Sequence, residues 1–241
     1  AVGAGQATIV ATSGSQSATS LVTVSVPGAT PVNAWAPMTS GTTQTLYGAW
    51  GTSTTNVFAV GGNGAIRRYD GSNWSGMTSG TSTSLYGVWG ASRTDIFAAG
   101  DGGTILHYDG STWTAMTSGT SAYLRGVWGS SPTNVFAVGA GGTILRYDGT
   151  RWTAMASGTS ANLEGVWGTS ANDVFAVGQN GTILRYDGTR WSAMVSNTGA
   201  SVHTVWGTSG SSVFGGAWNL VRYNGSSWSY LSGVNQDVYG L

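Results

Sequence analysis

The 241-residue chain has no cysteine, no lysine and a single glutamate, Glu164. Without cysteine it can form neither a disulfide bond nor a thiolate metal site. Its nine cationic side chains are all arginine and balance nine acidic ones, so there is no excess of positive charge to attract nucleic acid or an anionic membrane. Charged residues make up only 7% of the chain, and hydroxyl side chains carry most of the polarity. This composition favours a secreted or bacterial cell-surface protein.

Long apolar runs and helical patterns are also absent. No apolar stretch approaches the roughly 18 residues of a membrane-spanning helix, so no membrane insertion is expected. No window shows the 3.6-residue apolar period of an amphipathic helix, whereas many short runs alternate apolar and polar residues with a period of two. The sequence therefore predicts an all-β protein.

The dominant feature that is present is a unit of 39 residues that recurs five times. A period between about 20 and 50 residues is typical of solenoids, propellers and repeat arrays. A residue found in every unit serves to build the unit, so residues that carry function are expected where the units differ. The residues that mark the period are Trp50, Trp89, Trp128, Trp167 and Trp206, with Phe58, Phe97, Phe136, Phe175 and Phe214.

Each unit is predicted to form four short antiparallel strands. In the second unit they cover residues 85–90, 95–100, 104–109 and 113–116, which are rich in β-branched and aromatic residues. Turn residues separate these strands, and pairs such as Gly102-Gly103 supply the positive φ angles of tight hairpins. Four strands per unit without a helix are typical of a propeller blade. We therefore predict a β-propeller with five complete four-stranded blades.

Blades of this size cannot bury both faces alone, so neighbouring blades are expected to stack around a central axis. Aromatic side chains at the repeated positions are expected to fill the space between blades, and each fully buried ring contributes about 1.5–3 kcal/mol. In the second unit these side chains are Trp89, Phe97, Tyr108 and Trp113.

The two ends of the chain match parts of a further blade. Residues 35–38 match the fourth strand of a unit and residues 238–241 match the first, so this sixth, composite blade lacks its two middle strands. Residues 6–26 contain two alternating segments joined by a turn, and in one hypothesis they fill this gap. In the other they are the remnant of a separate domain that precedes a longer propeller. We prefer the first hypothesis because an unfilled gap leaves two open sheet edges.

These ends also determine the expected domains and assembly. Residues 1–30 are assigned to the N-terminal hairpin, and residues 31–241 to the propeller. A monomer is expected if the sixth blade closes. An oligomer that associates through open blade edges is expected if it does not.

The unit resembles the Kelch-type propeller repeat. The resemblance rests on V-F-A-V-G-G at residues 57–62, followed by Tyr69-Asp70 and then Trp74, although the unit is shorter than a typical Kelch repeat and only the first unit has the double glycine. The turn Tyr-Asp-Gly-x-x-Trp also resembles the Asp-box of sialidase-like propellers. Residues 5–25 are similar to the last two strands of a bacterial Ig-like domain of the Big2 type. These resemblances imply a bacterial extracellular propeller.

Three polar positions recur in every unit and are expected to have structural roles. The aspartate or asparagine of the Tyr-Asp-Gly turn caps its own backbone, and the residue that begins the second strand is expected to do the same. The arginine before each tyrosine, replaced by His107 in the second unit, is expected to lie along aromatic rings or to pair with the turn aspartate. The turn series is Asp70, Asp109, Asp148, Asp187 and Asn224, the strand series is Asn56, Asp95, Asn134, Asp173 and Ser212, and the arginines are Arg68, Arg146, Arg185 and Arg222.

Candidate binding residues lie where the units differ. The second residue of the innermost strand varies between the units, from tyrosine to arginine, glutamate and histidine. It is expected to face the central channel or its mouth, and Tyr239 belongs to this series. Two further candidates lie in variable loops on the same side. Another candidate is Trp218, which does not fall at a repeated tryptophan position. It lies in a turn of the fifth unit that is two residues shorter than in the other units. The candidate ligand-binding residues are Tyr47, Tyr86, Arg125, Glu164, His203, Trp218, Asp101 and Tyr123.

The expected function is non-catalytic recognition of a glycan or a surface protein through the loops and the channel face. The alternative is a structural propeller of a bacterial cell-surface protein with no small ligand. A glycoside hydrolase is less favoured, because it needs two carboxylates across the sugar and Glu164 has only Asp101 as a candidate partner. The two histidines occupy different positions of the repeat, so neither a metal site nor a cofactor is expected.

Overall fold

The computed structural model describes residues 6–13, 16–23, 37–231 and 237–240. The chain divides into two units, Ala1–Ser40 and Gly41–Leu241. In the first unit, β1 (Gln6–Ser13) and β2 (Gln16–Thr23) pair with each other as an antiparallel hairpin.

The hairpin contains the two strands expected near the N-terminus. Its recruitment into a sixth blade and its Ig-like origin stay predictions. The boundary expected at residue 30 lies outside the described residues, as does part of the strand expected at residues 35–38.

The second unit consists of five four-stranded antiparallel sheets, each formed by strands that are consecutive in the chain. Blade 1 contains β3 (Leu46–Ser53), β4 (Asn56–Gly61), β5 (Ile66–Tyr69) and β6 (Trp74–Met77). Blade 2 contains β7 (Leu85–Ser92), β8 (Asp95–Gly100), β9 (Ile105–Tyr108) and β10 (Trp113–Met116). Blade 3 contains β11 (Leu124–Ser131), β12 (Asn134–Gly139), β13 (Ile144–Tyr147) and β14 (Trp152–Met155). Blade 4 contains β15 (Leu163–Ser170), β16 (Asp173–Gly178), β17 (Ile183–Tyr186) and β18 (Trp191–Ala193), and blade 5 contains β19 (Thr204–Ser209), β20 (Ser212–Gly216), β21 (Leu220–Tyr223) and β22 (Trp228–Tyr230).

This architecture confirms the predicted multi-blade, all-β propeller. The four strands expected in the second unit are all present, with the first longer by two residues and the third shorter by one at each end. The turn between the second and third strands has the expected backbone, since Gly102 and Gly103 have φ angles of +62° and +72°. Asn180 takes the same left-handed conformation in blade 4, with φ at +55°, as asparagine tolerates better than other side chains.

Aromatic contacts between neighbouring blades form the core. The ring of Phe136 in blade 3 lies 5.6 Å from Tyr186 and 5.9 Å from Trp191 of blade 4, the latter edge-on. The same phenylalanine meets the tyrosine and tryptophan of the next blade at all four interfaces between blades 1 to 5. These phenylalanines are completely or almost completely buried: Phe58, Phe97, Phe136 and Phe175. The expectation that aromatic side chains fill the space between blades is confirmed.

A second contact joins the same blades through a tryptophan and a glycine. The ring of Trp89 in blade 2 packs over Gly129 of blade 3, where a Cβ atom would lie 2.7 Å from two ring carbons. Only glycine allows this approach, because any other side chain would collide with the indole. The four tryptophan–glycine pairs are Trp50 with Gly90, Trp89 with Gly129, Trp128 with Gly168 and Trp167 with Gly207.

The C-terminal residues 237–240 contact blade 5 near the channel, on the side away from blade 4. The amide of Val238 donates to the carbonyl of Ala217 over 2.8 Å, as the amide of Val202 donates to Gly178 at the interface between blades 4 and 5. The segment therefore occupies the place at which the first strand of a following blade begins. It is not itself assigned to a strand.

The repeat allows the contribution of one blade interface to be measured with a matched control. We expect Phe136→Ala to lower the free energy of unfolding by about 3–5 kcal/mol, because the truncated ring leaves a cavity between two blades. Phe214→Ala removes the same residue from blade 5, where the ring is only partly buried. Urea denaturation should show a markedly smaller loss for Phe214→Ala, and equal losses would contradict the interface argument.

Candidate functional site

The central channel is narrow because the innermost strands of neighbouring blades approach one another closely. A Cβ atom on Gly87 of blade 2 would lie 2.9 Å from the carbonyl oxygen of Arg125 in blade 3. Glycine holds the equivalent place in blades 1 to 4, whereas blade 5 has Thr204. Because the strands are so close, the variable residue that precedes each glycine lies near the variable residues of the neighbouring blades.

A β-bulge sets the direction of the variable residue in blades 1 to 4. In blade 1, Leu46 pairs with Gly61 and Gly48 pairs with Val60, so Tyr47 has no partner across the ladder. The same shift occurs at Tyr86, Arg125 and Glu164. A bulged residue leaves the regular alternation of a strand, and its side chain is redirected.

Six variable residues surround the mouth of the channel. They line a cavity of about 330 Å³, together with the glycines and small apolar residues of the innermost strands. We call these six residues the ring; their role in binding a ligand stays a prediction. The ring consists of Tyr47, Tyr86, Arg125, Glu164, His203 and Tyr239.

One half of the ring is aromatic and cationic. The rings of Tyr47 and Tyr86 lie 5.1 Å apart, and the guanidinium of Arg125 lies 5.0 Å from the centre of the Tyr86 ring. The Tyr86 hydroxyl donates to a carboxylate oxygen of Asp101 over 3.1 Å. Burial of the phenol and, next, this hydrogen bond raise the pKa of Tyr86, so the hydroxyl stays a donor at neutral pH.

The guanidinium of Arg125 is available to a ligand. The side chain is exposed. Its Cζ atom lies 5.0 Å from the centre of the Tyr86 ring and 5.5 Å from the centre of the Tyr123 ring. Among the described residues no carboxylate lies within 4.0 Å of it. Cation–π contacts hold the side chain without neutralising its charge.

The other half of the ring is acidic and contains an imidazole. Nδ1 of His203 lies 2.7 Å from Oε2 of Glu164, and Nε2 lies 3.9 Å from a carboxylate oxygen of Asp237. The imidazole also packs against the Tyr239 ring, with 4.6 Å between the ring centres and 31° between their planes. About four fifths of the Glu164 and His203 side chains are buried, so the pair forms a fixed wall of the cavity.

Sequence reasoning missed Asp237 as a member of this half. Its position two residues before Tyr239, immediately before the segment matched to a first strand, is the only signal that could have indicated it. Asp101 and Glu164, the two carboxylates considered for glycoside hydrolysis, contact different partners: the first accepts from Tyr86 and the second holds His203.

The variable loops lie at the same edge of the blades as the hairpin turns, as expected. The amide of Gly141 in a hairpin turn donates to Asn162 in the loop that leads into blade 4. Trp218 lies in the turn between β20 and β21 and exposes 58% of its surface. It does not line the cavity of the ring.

The repeated turn aspartate has the structural role that was expected. One carboxylate oxygen of Asp109 accepts from the amides of Ser111 and Thr112, each over 2.8 Å. Asn224 makes the same two contacts with its amide oxygen in blade 5, over 3.0 Å. A charge is therefore not required at this position.

The repeated arginine lies along an aromatic ring, which is the first of the two alternatives expected for it. The guanidinium of Arg146 lies 5.7 Å from the centre of the Phe136 ring, and its Nε donates to Asn134 over 2.7 Å. Arg146 is the cross-strand partner of Phe136, and Asn134 lies two residues earlier on the same face. The arginine therefore donates a hydrogen bond to the residue that begins the second strand. That residue was expected only to cap its own backbone. The same pairing joins Arg68 to Asn56, His107 to Asp95 and Arg185 to Asp173.

Two negative observations apply to the described part of the chain. No group of three or more histidine, aspartate or glutamate side chains is arranged to hold a metal ion. No helix there has the length and apolar character needed to cross a membrane.

Solved structures with a similar fold are β-propellers. A structure of YCF48 bound to a D1 peptide has a TM-score of 0.68 and 16% identity, covering 88% of this chain and 76% of that one. YCF48 from Cyanidioschyzon merolae has a TM-score of 0.54 and 18% identity, covering 73% and 66%. The WD40 β-propeller domain of Doa1 has a TM-score of 0.68 and 13% identity, covering 82% and 71%. These similarities show the fold, and no protein-family model and no curated protein matches the chain.

The turn aspartates predict how stability depends on pH. The Thr150 and Thr189 hydroxyls, followed by turn amides, lower the pKa values of Asp148 and Asp187 from 3.8 to about 2. Because the folded pKa is depressed, the stability from these bonds is complete above pH about 4 and is lost as the pH falls towards 2.

The measurement is the melting temperature between pH 7 and pH 2. A variant with Asp109, Asp148 and Asp187 all changed to Asn should show a smaller decrease over the acid range, since Asn224 makes the same turn without titrating. Parallel curves for the two proteins would show that these turns do not contribute to the acid dependence.

Proposed function

We propose that this propeller is a non-catalytic recognition module that binds a polypeptide segment at the mouth of its channel. The observation that carries the proposal is the ring. Units that are otherwise nearly identical place tyrosine, arginine, glutamate and histidine at one position around a single cavity, and Tyr239 completes the ring. The bulge that presents this position recurs in blades 1 to 4.

The two halves of the ring favour a ligand that has groups of both polarities. The exposed guanidinium of Arg125 and the Tyr47 ring suit a carboxylate or an aromatic side chain. On the other half, the carboxylate of Glu164 suits a basic side chain, and Asp237 beside His203 adds negative charge outside the ring. A peptide supplies such groups on one short segment. The cavity volume is at the lower end of the range of about 300–1,000 Å³ for small-ligand pockets, so it suits side chains of a segment lying across the mouth.

A comparison with a solved structure supports a peptide as the class of ligand. YCF48, a propeller with the same fold, has been captured with a bound D1 peptide. Glu164 is hydrogen-bonded to His203, and Asp101 accepts a hydrogen bond from Tyr86. Because both carboxylates hold ring side chains in place, the arrangement favours binding over catalysis. We place the module outside the cell, on the bacterial surface or secreted, on its low charge and hydroxyl-rich loops.

A glycan is the second candidate ligand, and a separate cleft favours it. This cleft, of about 580 Å³, lies beside the turn of blade 2, and its lining combines hydroxyl residues such as Thr81 and Thr104 with glycines and apolar residues such as Ile105. Trp218, which lies in blade 5 and does not line this cleft, offers an exposed aromatic platform of the kind that sugars stack on. A structural propeller without a ligand remains the alternative to both.

The peptide proposal is tested by selection from a displayed random peptide library on the immobilised chain, followed by calorimetric titration of the selected peptide. Arg125→Gln and Glu164→Gln should each weaken binding about tenfold or more, because each removes one charge of the ring. Arg190→Gln is the matched control, since it removes an exposed arginine from a turn at the opposite edge of a blade.

The outcomes separate the three hypotheses. Selected peptides that bind the ring variants as tightly as the parent would contradict the location of the site. Binding on a glycan array that Trp218→Ala abolishes and Arg125→Gln leaves unchanged would favour the glycan. Absence of both kinds of binding would favour the structural role.

A further inference from the structure

All the sulfur of this protein belongs to its five methionines, because the chain has no cysteine. Four of them hold the same place in the repeat, at the end of the fourth strand of blades 1 to 4 or directly after it. Each of the four is partly buried and packs against the hydrophobic cluster that its blade shares with the next blade. These methionines are Met77, Met116, Met155 and Met194.

The tryptophan that begins the fourth strand of the next blade belongs to the same cluster. At the interface between blades 2 and 3, Nε1 of Trp152 donates to Sδ of Met116 over 3.5 Å. A thioether is only a weak acceptor, so this bond satisfies the indole N–H less well than an oxygen would. The contact shows that the methionine stands where the indole N–H of the next blade needs an acceptor.

At the other three interfaces the same indole N–H lacks an acceptor among the described residues. Nε1 of Trp113, Trp191 and Trp228 is buried and makes no hydrogen bond there. These three side chains are more than nine-tenths buried. A buried donor without an acceptor is costly, because it has given up its hydrogen bond to water. The fold therefore contains three buried donors, each in one cluster with a methionine that does not satisfy it.

Small molecules can reach the methionine position from solution. Met116 lines the open cleft beside the turn of blade 2, and the three equivalent methionines are partly exposed as well. A thioether is oxidised to a sulfoxide by peroxides, and its susceptibility increases with exposure. The position thus combines an oxidisable sulfur with access for the oxidant.

We propose that Met77, Met155 and Met194 are sites of reversible oxidation by hydrogen peroxide, and that their sulfoxide oxygens accept hydrogen bonds from the buried indoles. In the reaction a lone pair of the sulfur forms a bond to one oxygen of the peroxide, and the O–O bond breaks. The proton of the transferred oxygen moves to the leaving oxygen, which departs as water. The sulfur loses two electrons, and the peroxide gains them. The proposal does not depend on the binding of a peptide at the ring.

The consequence for stability is the reverse of the usual one. Oxidation of a packed methionine normally disrupts a core, because it places a polar oxygen among apolar groups. Here the new oxygen lies in a cluster that contains an unpaired donor, so the modification should strengthen the interface between the blades. Met116 is the internal reference, because the indole of Trp152 already has its sulfur as an acceptor and gains less.

Two variants separate the proposed sites from the reference site. The test protein carries Met38→Leu and Met116→Leu, and it keeps the three proposed sites. The control protein carries Met38→Leu together with Met77→Leu, Met155→Leu and Met194→Leu, so that Met116 is its only sulfur. Leucine conserves most of the volume of methionine, so both proteins should fold.

Both proteins are treated with hydrogen peroxide until peptide mass spectrometry shows one added oxygen on each methionine and none on tryptophan. The melting temperature of the test protein should rise by about 2 °C or more, because three buried donors gain an acceptor. The control protein has one reacting site and should rise by much less. A melting temperature of the test protein that falls or stays unchanged would overturn the proposal. So would proposed sites that stay unoxidised while Met116 reacts.

A second measurement follows the indoles themselves. After oxidation of the test protein, the indole N–H resonances of Trp113, Trp191 and Trp228 should shift downfield, and these protons should exchange with solvent more slowly. Reduction by methionine sulfoxide reductases should restore both the resonances and the melting temperature, since sulfoxide formation is reversible. Unchanged indole resonances in the fully oxidised protein would contradict the proposal, because any gain in stability would then have another origin.

Discussion

The packing of aromatic rings between blades is the interaction on which the rest of this propeller depends. A four-stranded blade carries Phe136 or its counterpart on one face, and the tyrosine and tryptophan that cover this ring belong to the next blade. No blade therefore has a core of its own. Stability belongs to neighbouring pairs, as in other repeat proteins, and every blade must present the same two faces. This requirement explains why the units are so similar.

The need for identical faces restricts where the chain can vary. The strand positions that carry the phenylalanine, its arginine and the tryptophan over glycine are constrained on both sides by a neighbour. The bulged residue is not, because it has no partner across the ladder and its side chain leaves the sheet. Arg125 can therefore stand where Tyr86 stands in the previous blade without disturbing the packing between the two. Variation at the ring costs the fold little.

Most of the fold could be predicted from the sequence because it follows from short-range patterns. The strand period, the turn residues and the 39-residue repeat determine the blades, and the expected strand bounds in blade 2 differ from the observed ones by two residues or less. The ring positions followed from the variation between units. The pairing of Arg146 with Asn134 did not, because it depends on which residue lies opposite Phe136 across the strands. Asp237 was missed because its distance from His203 depends on how the C-terminal segment lies against blade 5.

The ring also shows how separate blades combine into one site. Its contacts join residues from successive units, such as Glu164 with His203 and Tyr47 with Tyr86, so each side chain is positioned by its neighbour around the channel. A change in one blade alters the surroundings of two ring residues at most, while the rest of the ring is kept. Opposite charges can therefore occupy opposite halves of one mouth even though the blades that carry them are built alike. The polarity of the site arises from the order of the blades in the chain.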